Sequence, residues 1–290
     1  MAARTKIEVK NILLTTDLTG THKATLPFAN ALASRFDSKV HLLHVVTKVV
    51  YPELPVDSNL DYFADAGATY KTMVAIMNGI DRDNSKKEIL LRGGSFWQVV
   101  EKVIQENNID LVVMGSHGRG GITRLLTGST AEQVYRHATC PVLTVGPKVA
   151  PAANKEFNRI VFATNFETHS EHALHHALGA AAEYNAQLIV THVVVPSLGA
   201  DVGLPEMLVP LVEPRLRTLL QNYDSPEKEP IYKVLVGSPA DEIVKLAKAE
   251  HADLIVMGAK PAATFTTHGP LGPAHVVVAR APCPVLTVAF

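Results

Sequence analysis

Cysteine, net charge and long apolar runs are all scarce in this chain, and each shortage excludes something. The 290 residues include two cysteines, Cys140 and Cys283. Each is followed by a proline that opens an apolar run, so they form neither a metal-ligand set nor a redox Cys-x-x-Cys and read as small hydrophobes at a strand start. Lysine and arginine number 27 against 28 aspartates and glutamates, for a formal net charge of −1. Such a balance leaves no overall basic footprint for nucleic acid or acidic membrane. No apolar run approaches the roughly 18 residues needed to span a bilayer, and the opening Met-Ala-Ala-Arg-Thr-Lys lacks the apolar core of a signal peptide. A cytoplasmic protein with neither nucleic-acid nor membrane partner is expected. Also missing are a Ser-His-Asp order, a nucleophile elbow, a His-Glu-x-x-His and a recognisable carboxylate pair, so nucleophilic or hydrolytic machinery is not legible.

What is present is written twice. Ala-Thr-Cys-Pro-Val-Leu-Thr-Val at 138–145 returns as Ala-Pro-Cys-Pro-Val-Leu-Thr-Val at 281–288. Asp110-Leu-Val-Val-Met-Gly115 returns as Asp253-Leu-Ile-Val-Met-Gly258, and Gly94-Ser95 as Gly237-Ser238, while Leu42–Val46 matches Val190–Val194 at a longer offset. A period of about 145 residues is too long for a solenoid repeat and right for a complete domain. With 47% hydrophobic and 19% charged residues, each half can bury its own core. The Gly146–Asn158 stretch, with its Gly-Pro and Ala-Pro-Ala-Ala, lacks a periodic apolar face and sets the boundary near residue 150, giving domains 1–150 and 151–290.

Within each copy, strand and helix patterns alternate, the signature of βαβ units and a parallel sheet. Strands are expected at Asn11–Thr16, Val40–Val46, Lys87–Leu91, Asp110–Gly115 and Pro141–Val145, and again at Arg159–Thr164, Gln187–Val195, Ile231–Leu235, Asp253–Gly258 and Pro284–Val288. First-copy helices are expected near His22–Phe36, Tyr62–Asn78, Ser95–Asn107 and Thr130–Ala138. Runs such as Leu-Val-Val-Met are continuously apolar, as strands covered on both faces require. Tyr51–Val56 and Leu204–Pro210, the variable middle segments, are loop and lid candidates. The closing strands Val142–Val145 and Val285–Val288 are apolar edge candidates, expected to pack the copies together about a pseudo-twofold axis.

Ligands of open parallel sheets bind beyond the carboxyl ends of the strands. There the first copy carries Met114-Gly115-Ser116-His117-Gly118-Arg119-Gly120-Gly121, followed by Gly128-Ser129-Thr130 and a helix. Gly115, Gly118 and Gly128 let backbone approach a ligand, while Ser129 and Thr130 bring hydroxyls and N–H groups to a positive helix end. Phosphates suit such a cradle. The loop is not a Walker A motif, lacking Gly-Lys-Ser/Thr, nor a Gly-x-Gly-x-x-Gly turn after the first strand. His117 and Arg119 could reach phosphate or remain solvated.

The spacing Gly115-x2-Gly118-x9-Gly128-Ser129, together with Thr16-Asp17, the Leu-Leu-His-Val-Val strand and the closing Cys-Pro-Val-Leu-Thr-Val, resembles nucleotide-binding members of the universal stress protein family over nearly the whole chain. The resemblance implies two flavodoxin-like, Rossmann-like domains, each a five-stranded parallel sheet flanked by helices, packed as a pseudo-dimer. It implies ATP, with magnesium as a possible companion, across the strand ends of the first copy. Thr16 and Asp17 would lie toward the ribose or a divalent ion, Val45 would offer backbone groups to adenine, and Gly115, Gly118, Gly128, Ser129 and Thr130 would line ribose and phosphates. The function implied is an ATP-binding stress-response regulator, with a slow magnesium-dependent ATPase or phosphotransferase as the alternative, and a homodimer of tandem chains.

The second copy departs from that pattern. Asn165 stands for Asp17, Pro261 for Gly118, and Leu271-Gly272 for Gly128-Ser129. Proline removes a donor and fixes φ, so this copy is not expected to hold ATP in the family manner. His169, His172 and His176 share helical spacing and could bind a metal, but Ala173, Leu174, Ala177 and Leu178 form the buried stripe and put the histidines on the solvated side. His44 and His192 are equivalent and read as core or near-site residues. Phe96-Trp97, where the second copy has Pro239-Ala240, reads as packing.

Overall fold

The computed structural model describes residues 6–20, 22–46, 66–116, 129–150, 156–196, 204–224, 226–260 and 272–289. In the first half run β1 (Asn11–Thr15), α1 (His22–Phe36), β2 (Lys39–Val46), α2 (Ala66–Met77), a 3-10 turn (Asn84–Lys86), β3 (Lys87–Gly93), α3 (Phe96–Glu106), β4 (Leu111–Gly115), α4 (Ser129–His137) and β5 (Val142–Val145). The second half runs β6 (Arg159–Ala163), α5 (Thr168–Tyr184), β7 (Gln187–Val194), α6 (Leu204–Leu219), β8 (Ile231–Val236), α7 (Pro239–Ala249), β9 (Leu254–Gly258), α8 (Pro273–Arg280) and β10 (Val285–Val288).

These strands make one ten-stranded sheet in the order β3-β2-β1-β4-β5-β10-β9-β6-β7-β8. Pairing is parallel within each half and antiparallel only where β5 meets β10, with Leu143 opposite Leu286. The apolar edges thus cover each other, as an exposed edge demands. Across this seam the Thr287 hydroxyl donates to the Val142 carbonyl at 3.2 Å, and the Arg35 guanidinium of α1 meets the Glu183 carboxylate of α5 at 2.7 Å. On one sheet face a single apolar cluster spans both halves, from Ile12 and Phe28 to Phe162 and Leu174. On the other face the core is split, one cluster around Leu13, Leu43 and Val134, another around Val161, Ile189 and Val277.

The duplication extends to local backbone chemistry. Asp110 Oδ2 accepts the N–H groups of Lys10 and Asn11 at 2.8 Å, and Asp253 Oδ2 accepts those of Asn158 and Arg159 at 2.9 and 3.0 Å. Each aspartate therefore clamps the start of its half's first strand, which explains its place in the repeated Asp-Leu-x-Val-Met-Gly. Left-handed residues also recur in pairs: Leu18 (φ 64°) with Phe166 (62°), and Asn108 (47°) with His251 (50°).

Two expectations are corrected. Leu204–Pro210 begins helix α6 rather than forming a lid, although α6 carries Pro210 and Pro214. Helically spaced Val212, Leu216, Leu219 and Leu220 dock it into the shared core, and that burial outweighs the backbone hydrogen bonds the prolines remove. Tyr51–Val56 lies outside the described residues. Of the α5 histidines, His172 is exposed, whereas His169 and His176 are partly covered. Burial pushes the His176 imidazole down to about 4, with His175 and His172 adding to it. Ala173, Leu174, Ala177 and Leu178 are buried as expected, and of the three histidines His172 alone stays on the solvated side. Among the described residues no group of three or more His, Cys, Asp or Glu is placed to hold a metal ion. Both cysteines are buried and free, and burial pushes their thiols up to about 12.

Candidate functional site

Beyond the carboxyl end of β1 the chain turns on its own side chains. The Thr16 hydroxyl accepts the Leu18 N–H at 3.1 Å, which helps hold Leu18 in its left-handed conformation. The Asp17 carboxylate accepts the Thr19 N–H at 2.9 Å through one oxygen and the Thr19 hydroxyl at 2.7 Å through the other. Short polar side chains that bond the backbone two residues on are what lets a tight turn form here. Beside the turn, His44 Nδ1 lies 2.8 Å from the Thr16 carbonyl. A carbonyl only accepts, so Nδ1 carries the proton, and His44 braces the turn from β2.

Val45 follows on β2. The Thr16 N–H donates to the Leu43 carbonyl and the Gly94 N–H to the Val46 carbonyl. Backbone groups of successive strand residues point to alternate sides, so Val45 directs its N–H and C=O toward the β1 side, at the level where β1 has already ended. Gly115 closes β4 in register with Val145, and β4 lies directly beside β1. Thr16, Asp17, Val45 and Gly115 thus share one end of the sheet. Ser129 and Thr130 form the first turn of α4, their side chains lying outside the description, as do Gly118, Gly128, His117 and Arg119.

The second half repeats this end of the sheet with changed chemistry. The Thr164 hydroxyl accepts the Phe166 N–H at 2.9 Å, Asn165 Oδ1 accepts the Glu167 N–H at 3.1 Å, and His192 Nδ1 lies 2.8 Å from the Thr164 carbonyl. Asn165 also accepts the Ser170 hydroxyl. Gly258, the counterpart of Gly115, has a packing reason for being glycine: a Cβ there would lie 2.8 Å from the backbone carbonyl of His169, at the start of α5. Burial lowers the pKa of His169 and of His192.

A cavity of about 950 Å³ opens at this second strand end, lined by Thr164, Asn165, Val193 and Gly258. These are the counterparts of Thr16, Asp17, Val45 and Gly115. Part of its wall comes from the other half, because Glu132, Tyr135 and Arg136 of α4 face it. His275 of α8 lies 3.4 Å from both the Glu132 carboxylate and the Tyr135 hydroxyl. Burial lowers the His275 pKa against the opposing pull of Glu132, and burial also raises that of Tyr135. Sequence reasoning missed this contribution of α4. Its residues belong to the first copy's own helix pattern, and no local signal says that they face the second copy.

In the first half larger side chains stand at the equivalent helix start. Phe96 and Trp97 pack on the apolar cluster, and Trp97 stacks on His137 of α4 with ring centroids 5.3 Å apart.

A family model described as the universal stress protein family matches residues 8–146 and again 156–289. A Staphylococcus aureus (strain USA300) relative bearing that family's name is 29% identical over 153 residues, covering 50% of this chain and 89% of its own. Among solved structures, a universal stress protein from Archaeoglobus fulgidus DSM 4304 superimposes with a TM-score of 0.71 at 18% identity, covering 98% of this chain and 99% of that one. A functionally unknown protein from Pseudomonas aeruginosa PAO1 gives 0.60 at 18% identity, with 97% and 92% covered. At such identities the likeness concerns the fold.

Proposed function

The chain belongs to the universal stress protein family, with two copies of its domain in tandem, and from that premise we propose that residues 1–150 form an ATP-binding domain and residues 151–290 a partner domain that has given up that ligand. The observation that carries this reading is the gathering of Thr16, Asp17, Val45 and Gly115 at one end of the first half's sheet, followed in sequence by Gly118, Gly128 and the α4 N-terminus. Val45 has backbone groups turned toward the space that adenine needs, Asp17 brings a carboxylate to the ribose side, and Ser129 and Thr130 open a helix whose positive end favours phosphate.

ATP supplies the chain with an anionic ligand whose presence or loss changes a surface. The residues themselves bind and orient. Both Asp17 oxygens already accept hydrogen bonds from Thr19, which supports holding a ligand over activating a water. The role that follows is a cytoplasmic stress-response regulator that reads nucleotide through binding, with magnesium accompanying the phosphates.

Mass spectrometry of small molecules released from the purified, denatured protein tests this directly. ATP or ADP at one equivalent per chain is expected, and its absence together with no binding of a fluorescent ATP analogue would sink the reading. Gly118→Val and Gly128→Val are each expected to abolish analogue binding with the far-UV circular dichroism unchanged. A steady-state hydrolysis assay with Asp17→Asn alongside separates holder from enzyme, with turnover near background expected in both proteins.

A further inference from the structure

Where a parallel ladder ends, the last carbonyl of the strand still needs a donor, and β1 finds it in a side chain. Thr15 stands opposite Leu43, and the Thr16 N–H donates to the Leu43 carbonyl at 2.9 Å. A strand residue turns its N–H and C=O toward the same neighbouring strand, where they bond residues two apart. The ladder donor due to the Thr16 carbonyl is therefore the Val45 N–H. His44 stands between these two partners, and its ring supplies the donor, Nδ1 lying 2.8 Å from the Thr16 carbonyl. His44 is 5% exposed and Thr16 6%, so little water competes for this bond. A carbonyl satisfied by a side chain does not require the backbone donor, and the ladder can stop one bond short of Val45.

The same bond aims the next peptide. A trans peptide points its C=O and N–H in opposite directions, so holding the Thr16 carbonyl toward β2 turns the Asp17 N–H toward the β4 side, where Gly115 lies.

The second half builds the same device. The Thr164 N–H donates to the Thr191 carbonyl at 3.0 Å, and His192 Nδ1 lies 2.8 Å from the Thr164 carbonyl. There Val193, the counterpart of Val45, lines the open cavity at the strand end. The packing on the ring differs, since Phe166, with its ring centroid 4.7 Å from that of His192, stands where the first half has Leu18. What the two halves share is the donor at the strand end.

We propose that His44 is a positioning residue of the nucleotide site: by taking the Thr16 carbonyl it holds the Val45 N–H out of the β1–β2 ladder, for an acceptor on the ligand's base. The proposal rests on the nucleotide reading above and deepens it.

Three measurements on the full chain test it. Nitrogen-15 NMR of the ligand-free protein should show a His44 ring protonated at Nδ1. Amide hydrogen exchange should show Val45 exchanging faster than Leu43 inside the ladder. His44→Phe keeps a flat ring and removes the donor, which lets the Thr16 carbonyl capture Val45. In that variant protection of the Val45 amide should rise about tenfold or more, while affinity for the fluorescent ATP analogue falls about tenfold with the melting temperature held or raised. A merely structural brace would lower the melting temperature without protecting Val45. His44→Asn returns a donor near the Nδ1 position and should bind within about threefold of the parent. If His44→Phe loses its cooperative melt, the ring tautomer and the Val45 exchange in the parent carry the test. A His44 protonated only at Nε2, a Val45 amide as protected in the parent as in His44→Phe, or undiminished affinity in folded His44→Phe would each overturn the proposal. Failure of the parent itself to bind the analogue would sink the nucleotide reading, and the exchange pattern would still decide whether His44 holds Val45 out of the ladder.

Discussion

Single residues show most clearly where this fold tolerates change. A Cβ at Gly146 would run into the Val278 carbonyl of the opposite half, and one at Gly258 into the backbone of His169, whereas one at Gly67 would meet open space. Gly146→Ala and Gly258→Ala are expected to cost about 1–3 kcal/mol each, because backbone cannot retreat as a flexible side chain can. Gly67→Ala, on helix α2, is expected to gain up to about 1 kcal/mol by narrowing the unfolded ensemble. Chemical denaturation curves check all three. Protonation gives a second residue-level expectation. Burial holds His176 at about 4, and lowers His169, His192 and His275 in the same direction. Between the unfolded value near 6.5 and the folded value, the unfolded chain binds the proton that the folded chain refuses. Stability is therefore expected to fall as pH drops from about 6.5, by up to about 1.4 kcal/mol per pH unit for one fully responding histidine. Exposed carboxylates held low by their ion pairs, such as Asp37 and Asp241, add their losses only near and below their own pKa range. Melting temperatures measured from pH 7 to 4.5 should decline, and His176→Gln should flatten the decline; a flat profile in the parent protein would refute the assignment.

At the level of elements, the seam between β5 and β10 carries the union of the halves. Leu143 is buried on β5 opposite Leu286 and belongs to the cluster that spans both halves. Leu143→Ala is expected to cost about 2–5 kcal/mol, since the surrounding sheet and helices relax only partly into the space left. The loss should appear as a lower denaturation midpoint with the transition still single, because the shared core joins the halves into one cooperative unit. Two separated transitions in the parent protein would contradict that. Helix α4 is the other joint: it follows the first half's glycine loop and, through Glu132, Tyr135 and Arg136, walls the second half's chamber.

For the whole molecule, the tandem does within one chain what two copies of a single domain would do by dimerising. Residues 1–150 expressed alone would leave β5 as an apolar edge. A homodimer is expected by light scattering, and a stable, soluble monomer that still binds the ATP analogue would count against strand pairing as the link. The benefit of tandem fusion is asymmetry. Two identical subunits must carry identical sites, but here Asp17 and Phe96-Trp97 in one half correspond to Asn165 and Pro239-Ala240 in the other, so the two strand ends of one sheet differ in chemistry.

Much of this was legible before any coordinates. The repeated Asp-Leu-x-Val-Met-Gly and Cys-Pro-Val-Leu-Thr-Val runs, continuous apolar strands and intervening helical patterns determined two α/β copies. Local periodicity records which residues are covered on both faces, and an apolar closing strand in each copy implied that the two must cover each other. The conjunction of Thr16-Asp17 with the glycine loop likewise pointed to the strand ends of the first half. Tertiary structure alone decided the rest. Leu204–Pro210 carries prolines that argue locally against a helix, and only the docking of Leu216 and Leu220 into a shared core overrides them. Gly258 was legible only as the end of a repeated strand, and the structure adds a packing reason for it, the close approach of the His169 backbone. The chamber faced by α4 arises from segments more than a hundred residues apart, and a pattern read within one copy contains no information about what the other copy presses against it.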